Sequence, residues 1–366
     1  MNEKIKPFDL LNTAGNPRNS EGAFLRTGDG RTRYIYTRYS GGNWSDDAHA
    51  DLAELISTDD GDSWRDNGVV IPRGDADNVM SVSLLRLRNG SVILFYLEKR
   101  MLACGRMACL PMMRRSTDDG DTWSEARRLI ARDGYFVMDN DRAVQLESGR
   151  IVLPFSYHLF REGRWEFRPG MLFTLISDDN GETWRESESL VCPDTRADGF
   201  HGFQEPVVIE LAPDHLRMWA RTALGYQFTT DSFDGGNNWG AAVPDRNFPS
   251  PLSPLSVKRD PATGWLYAVW NGIDRQLYPV LPLPTGSDRT PLVIMRSRDN
   301  GATWDRREGV MLEREPDRGY CYTAMHFCGS DLLLAYCFGV QAPGRCVLQD
   351  LRLRKLHLPD LWPDQA

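Results

Sequence analysis

No long apolar run occurs in this chain. Nothing approaches the roughly 20 consecutive apolar residues of a bilayer-spanning helix. Residues 1–15 (MNEKIKPFDLLNTAG) lack the apolar stretch of a secretory leader. The expectation is therefore a cytoplasmic protein with no membrane partner. A basic excess is missing too: 43 Lys and Arg stand against 51 Asp and Glu, a formal charge of -8. That balance argues against nucleic acid as a partner, while local arginines remain able to hold a small anion. Cysteines are few and irregular. Seven is an odd number, and Cys321, Cys328 and Cys337 lie in or beside apolar segments, so buried free thiols are expected rather than disulfides. No His/Cys/Asp cluster has metal-ligand spacing, and no cofactor is expected. Helix-period stretches are scarce.

Strand-forming and core-forming residues are plentiful. The hydrophobic fraction is 41%, with 11 Trp, 12 Tyr and 15 Phe, enough for a large core. An eight-residue turn recurs five times: Ser57 to Trp64, Ser116 to Trp123, Ser177 to Trp184, Ser232 to Trp239 and Ser297 to Trp304. Its frame is Ser, any, Asp, any, Gly, any, Ser/Thr/Asn, Trp. The Asp carboxylate can accept backbone N–H bonds within its own turn, the Gly supplies positive φ, and the Trp buries a large ring.

Copies 55–65 residues apart imply one supersecondary unit per repeat. About 60 residues hold four strands and their turns, the size of a propeller blade. Upstream of each turn lies a strand–turn–strand pattern, such as Met80 to Leu87, Asn89-Gly90, then Val92 to Leu97. Six such hairpins predict an all-β chain, a six-bladed β-propeller forming one domain over residues 1–366, its sixth blade closed by the two chain ends.

In a propeller the innermost strands line a central channel. The residues flanking each inner hairpin then share one rim. Before the first strands these are Arg18, Asn78, Asp141/Arg142, Glu205, Ser253 and Tyr322. After the second strands they are Arg38 with Asp46/Asp47, Glu98/Lys99, His158, Arg221, Asn271 and Cys337. Taken singly, each reads as an ordinary turn, surface or core residue. Their common place on the repeat makes them candidates for one polar, concave pocket.

With these residues in hand, the chain resembles the sialidase (neuraminidase) superfamily, whose repeated turn is the Asp box. The resemblance covers nearly the whole chain. Asp boxes are specific for the fold and weak for the activity. The order of rim residues is more specific: Arg18, then an acidic residue in Ser45-Asp46-Asp47-Ala48, then Glu205, Arg221, Arg289 and a tyrosine in Gly319-Tyr320-Cys321-Tyr322. Asp46 and Asp47 both fit the acid position; Tyr322 fits the tyrosine position, with Tyr320 its rival. The chain departs from the family at Arg18-Asn19-Ser20, where Arg-Ile-Pro is usual, and at Cys337, where a Glu holds the first Arg. The resemblance is thus to a divergent branch.

What the resemblance implies is an exo-glycosidase acting on a terminal acidic sugar with retention. Tyr322 would be the nucleophile, Glu205 its base, and Asp46 or Asp47 the acid, with a raised pKa. Arg18, Arg221 and Arg289, with Arg38 and Arg142 as further rim arginines, would bind the substrate carboxylate. Two alternatives stand beside this reading. One is a glycoside hydrolase of the same fold with a different sugar and a rim set such as Asp141, His158, His201 and Glu98. The other is a non-catalytic, glycan-binding propeller. The discriminating feature is convergence of the arginines, the tyrosine and the acids on one pocket. Composition and motifs leave the oligomeric state open.

Overall fold

The computed structural model describes residues 6–158, 169–194, 202–279 and 289–363. Apart from a 3-10 turn at Arg306–Glu308 and a helical turn at Leu358–Leu361, its regular structure is strand. The protein is all-β. The recurring unit is an antiparallel meander. In the first, Asn19–Arg26, Thr32–Tyr39, Ala50–Ser57 and Arg65–Ile71 pair in order. Asn78–Arg86, Val92–Met101, Met107–Ser116 and Arg127–Arg128 repeat it. So do Gln204–Ala212 through Val243–Pro249, and Ser256–Arg259 through Val310–Glu313. The third unit is less regular, its first strand reduced to Val144–Gln145 beside Ile151–His158.

The last sheet takes Cys321–Cys328, Asp331–Cys337 and Leu351–His357 from the end of the chain and Phe8–Leu10 from its start, with Phe8 opposite Leu353. The two ends of the chain are hydrogen-bonded in one sheet. Between neighbouring sheets lie the cores. Along Val92–Met101, alternate side chains serve opposite faces. Ile93, Phe95 and Leu97 pack with Ile151, Leu153 and Phe155 of the next unit, while Val92, Leu94 and Tyr96 pack with Ile35 and Leu52 of the previous one. A strand covered on both faces needs an unbroken apolar run, which is why these strands read as such in sequence.

The repeated turn is held by its own side chains. In all five copies the Ser hydroxyl donates to the Asp carboxylate at 2.7–2.8 Å and accepts the Gly N–H at 2.8–2.9 Å. The same Asp accepts the backbone N–H four residues on at 2.8–2.9 Å. The residue before the Gly, unrestricted in the sequence frame, is Asp60, Asp119, Asn180, Gly235 or Asn300, and every one has positive φ. Only Gly, Asn and Asp tolerate that conformation readily, which explains the choice.

Each turn leans on the unit before it. A Cβ built on Gly120 would lie 3.5 Å from Leu25, one on Gly181 2.8 Å from Ile93, one on Gly236 3.5 Å from Val152, and one on Gly301 3.6 Å from Leu211. The first turn has no earlier repeat, and its neighbour is Leu333 of the last sheet, 2.5 Å from a Cβ on Gly61. This contact is testable. Gly61 and Gly90 share a φ near +90° (87° and 89°), but Gly90 faces open space. Gly90→Ala should cost about 1 kcal/mol for the backbone alone. Gly61→Ala should cost a further ~1–3 kcal/mol from overpacking against Leu333. Urea unfolding of both variants measures the difference; equal losses would place the first turn out of contact with the last sheet.

Candidate active site

The first strands of several of these units are not regular. Their ladders slip between Ser20 and Ala23, Met80 and Ser83, Gln204 and Val207, and Cys321 and Ala324. At each slip one residue is left-handed: Glu21 (φ 54°), Ser81 (59°), Glu205 (47°) and Tyr322 (58°). None is glycine, so each conformation costs on the order of 1–3 kcal/mol and persists because the surrounding sheet over-determines it. A bulge re-aims a side chain out of the strand's alternation. Here all four bulge side chains line one cleft of about 270 Å³. Asp46, Lys99, Tyr135, Asp139, Arg221 and Arg289 share that wall, with Met80, Leu97, Val137, Met138 and Leu348 as its apolar part.

At the centre, the Tyr322 hydroxyl donates to Glu205 Oε1 at 3.0 Å, and Arg221 Nη1 donates to Glu205 Oε2 at 2.5 Å. Arg221 ends the strand His215–Arg221 that pairs with the one carrying Glu205, so register brings the two together. The buried Nε of Arg221 has no hydrogen-bond partner. Arg289 sits over the Tyr322 ring, its Cζ 5.4 Å from the centroid, and donates to Cys321 Sγ at 2.9 Å. Burial, reinforced by Glu205, holds the Tyr322 hydroxyl well above its ordinary pKa. It does not ionise near neutrality without a base beside it.

The acids are arranged unevenly. Asp46 Oδ1 takes Arg18 Nη1 at 2.5 Å, and Lys99 Nζ donates to the Asp46 carbonyl at 2.8 Å and to Asp47 Oδ1 at 3.1 Å. The Asp46 side chain is exposed; partial desolvation by its neighbours works to raise its pKa, but Arg18 and Lys99 outweigh it and hold the carboxyl well below the usual range. The expected upward shift of this acid is therefore corrected: in the resting cleft Asp46 is a carboxylate. Asp47 faces Lys99 and lies outside the cleft wall. The raised carboxyls are others. Burial lifts Glu21 to about 8, against the pull of Arg18 and with help from Asp46, Asp139 and Glu205. It lifts Asp139 to about 6, against Arg142 and with help from Glu205.

Several sequence candidates lie elsewhere. Arg38 turns away from the cleft, donating to Tyr36 Oη and to Asp66 Oδ1, the latter at 2.8 Å on an outer strand. Its position at a strand end was right for the rim, but side-chain alternation sends it to the wrong face. Arg142 is buried outside the cleft wall, paired with Asp139 and donating to Ser256 Oγ at 3.3 Å. It braces an acid of the wall rather than facing a ligand. Arg18 is buried and not in the wall. Tyr320 donates to Glu315 at 3.0 Å and is likewise outside it. Cys337 stands opposite Cys321 in the last hairpin, fully buried.

The second candidate set does not gather. Asp141 accepts from Lys258 Nζ at 2.7 Å and from the Met325 N–H at 3.0 Å, Glu98 accepts from Arg100 at 3.0 Å, and His158 meets Ser156 Oγ at 3.3 Å. None of the three lines the cleft, and His201 lies outside the described residues. Sequence reasoning missed Glu21, Ser81, Lys99 as a brace, and Asp139. Glu21 and Ser81 occupy the repeat position of Glu205 and Tyr322, a signal present in the alignment of the hairpins. Among the described residues no group of three or more His, Cys, Asp or Glu could hold a metal ion.

Comparison with known proteins places this geometry. The family model of the BNR repeat-like domain matches residues 34–333. A sialidase of Micromonospora viridifaciens is 25% identical over 236 residues, covering 57% of this chain and 34% of that protein. The match thus spans about a third of the length of that relative. Among solved structures, the intramolecular trans-sialidase of Ruminococcus gnavus, in complex with oseltamivir carboxylate, has a TM-score of 0.72 at 14% identity and 99% coverage of both chains. A sialidase of Streptococcus pneumoniae has a TM-score of 0.69 at 12% identity, covering 96% of this chain and 70% of that one. At such identities the structures speak for a common fold alone. The span of the family match is what identifies the chain as a member of the BNR repeat-like family, within the sialidase superfamily.

Proposed function

We propose that this protein is a retaining exo-glycosidase that releases a terminal acidic sugar, such as sialic acid, from a glycoconjugate, on a six-bladed β-propeller. The ring reading is supported by the first turn leaning on Leu333 and by bonds between distant inner strands, such as Asn140 Nδ2 to the carbonyls of Gly22 (2.7 Å) and Tyr322 (3.2 Å). The catalytic reading rests on one observation above the others: the 3.0 Å bond from Tyr322 to Glu205 inside a cleft that also holds Arg221 and Arg289.

The chemistry follows from charge. A substrate carboxylate next to the reacting carbon repels a carboxylate nucleophile, and a neutral phenol avoids the repulsion. As the Tyr322 oxygen bonds to the sugar, Glu205 takes its proton. Arg221, already on Glu205, and Arg289, over the tyrosine ring, balance the growing negative charge and hold the substrate carboxylate. Asp46 lines the same wall as Tyr322 and serves as the acid. Its proton must come with the substrate: an added anion draws on the same cations that depress it, and its pKa rises. It then protonates the leaving oxygen and later activates water. The cleft, about 270 Å³, has room for about one sugar, which favours action on a chain end.

Tyr322→Phe should lower kcat by on the order of 1,000-fold or more while substrate affinity and melting temperature stay near wild type. Undiminished turnover of a 4-nitrophenyl sialoside by this variant would remove the tyrosine from the mechanism. Arg221→Lys keeps the charge but loses the fork, so KM for acidic sugars should rise about tenfold. Arg38→Met, on the outer face, should leave both kcat and KM within about twofold. Steady-state kinetics on the pair separates the two arginines; a shared loss would contradict the assignment of Arg38 to the outside.

A further inference from the structure

Glu21 has no step in the reaction above, yet it occupies the repeat position of Glu205 and Tyr322. It sits at the same bulge with a φ of 54°, and its side chain lines the cleft. A glutamate is strained in that conformation, whereas glycine would not be. The carboxyl is buried and poorly partnered. Ser20 Oγ donates to it at 3.4 Å, and Arg18 Nη2 lies 3.5 Å away as an ion pair without a hydrogen bond, so neither makes a strong charge-assisted bond. Arg18 directs its other nitrogens elsewhere: Nη1 to Asp46 and to the Trp44 carbonyl, Nε to Ser20 Oγ. Arg18 is also absent from the cleft wall, while Glu21 and Asp46 are part of it. Two carboxyl groups therefore stand between this arginine and whatever occupies the cleft.

We infer that Glu21 is a specificity-determining residue that touches the acidic group of the substrate directly, where an uncovered Arg18 would otherwise meet it. This rests on the reading of the cleft as an acidic-sugar site. A carboxyl can face a carboxylate only while it carries a proton. The charged and titratable groups around Glu21 are Arg18 just before its own strand, Tyr39 on the strand paired with it, Asp46 from the loop after the first hairpin, Cys109 from the second unit, Asp139 ahead of the third, Glu205 from the fourth, and Tyr322 and Cys337 from the last. Burial and the three carboxylates outweigh Arg18, and with the pKa near 8 Glu21 is neutral at neutral pH. In that form its O–H donates to the substrate carboxylate. Ionised, at higher pH, it repels the same group. Binding of an acidic sugar is therefore favoured below the Glu21 pKa and weakens as pH rises through it.

The test is calorimetric binding of N-acetylneuraminic acid and of D-glucuronic acid to the full chain at about pH 6 and about pH 9.5, with Glu21→Gln and Glu21→Ala alongside. Melting temperatures report whether each variant is folded. Wild type should bind at least one acid about tenfold or more weakly at the higher pH, as Glu21 ionises. Glu21→Gln keeps a neutral donor at every pH and should lose most of that dependence. Glu21→Ala should bind several-fold more weakly than Glu21→Gln at the lower pH; if it melts early, the near-isosteric Gln variant alone carries the comparison. The same pH dependence in wild type and Glu21→Gln overturns the role of Glu21 and leaves the acidic-sugar reading standing. Failure of wild type to bind either acid at either pH overturns that reading, and the role of Glu21 with it.

Discussion

A left-handed residue in the middle of an inner strand is the constraint on which the cleft depends. A regular strand sends alternate side chains into the two cores beside it, and the four bulged strands are packed on both faces. Such a strand has no side chain to spare for a third direction. Inserting one residue breaks the alternation for a single position and frees that side chain to leave the sheet along its edge. Glu21, Ser81, Glu205 and Tyr322 arise in this way from four different units and reach one cleft. The strain is local, and the large apolar contacts between sheets hold it.

The same crowding sets the electrostatics. Glu21, Asp46, Asp139 and Glu205 share a small wall with Lys99, Arg221 and Arg289. Glu21 and Asp139 are buried, while Asp46 is exposed, so the shifts follow from burial at the first two and from neighbouring cations at the last. Asp46, with Arg18 and Lys99, is held as a carboxylate; Glu21, with only a distant contact to the same arginine, is pushed to about 8. Two acids near one guanidinium thus rest in opposite states: Glu21 is buried among Asp46, Asp139 and Glu205 with Arg18 3.5 Å away, whereas Asp46 has Arg18 at 2.5 Å and Lys99 and Arg289 nearby. Arg142 acts at one remove, bracing Asp139 from outside the cleft wall.

Much of this was legible in one dimension. The turn frame, the hairpins and the all-β class follow from local rules: a carboxylate that folds back on its own N–H groups, glycine at positive φ, apolar runs between turn residues. Even the choice of Asp, Asn or Gly before the turn glycine is a local signal, visible once its left-handed φ is known. Rim positions could also be counted off from the hairpins, and Glu205, Tyr322, Arg221 and Asp46 stand among them; Arg289 follows only from the family resemblance. Arg38 and Arg142 were counted the same way and point elsewhere, since position along a strand does not say which face a side chain takes at its frayed end. Glu21 went unnoticed because the first hairpin was counted from Arg18, whereas its bulge aligns Glu21 with Glu205 and Tyr322.

Residue type and spacing thus carried the local structure, where each hydrogen bond joins groups a few positions apart and needs no other part of the chain. Which side chains meet, and in what charge state, depends on the packing of sheets against one another. Tyr322 and Glu205 are partners only because residues 117 positions apart, in two different sheets, are brought within hydrogen-bond reach. The protonation of Glu21 and Asp46 depends on distances to cations from other units and on the exclusion of water. Those quantities exist only when the chain is folded, because burial and charge separation are properties of three-dimensional neighbourhoods, not of order along the chain.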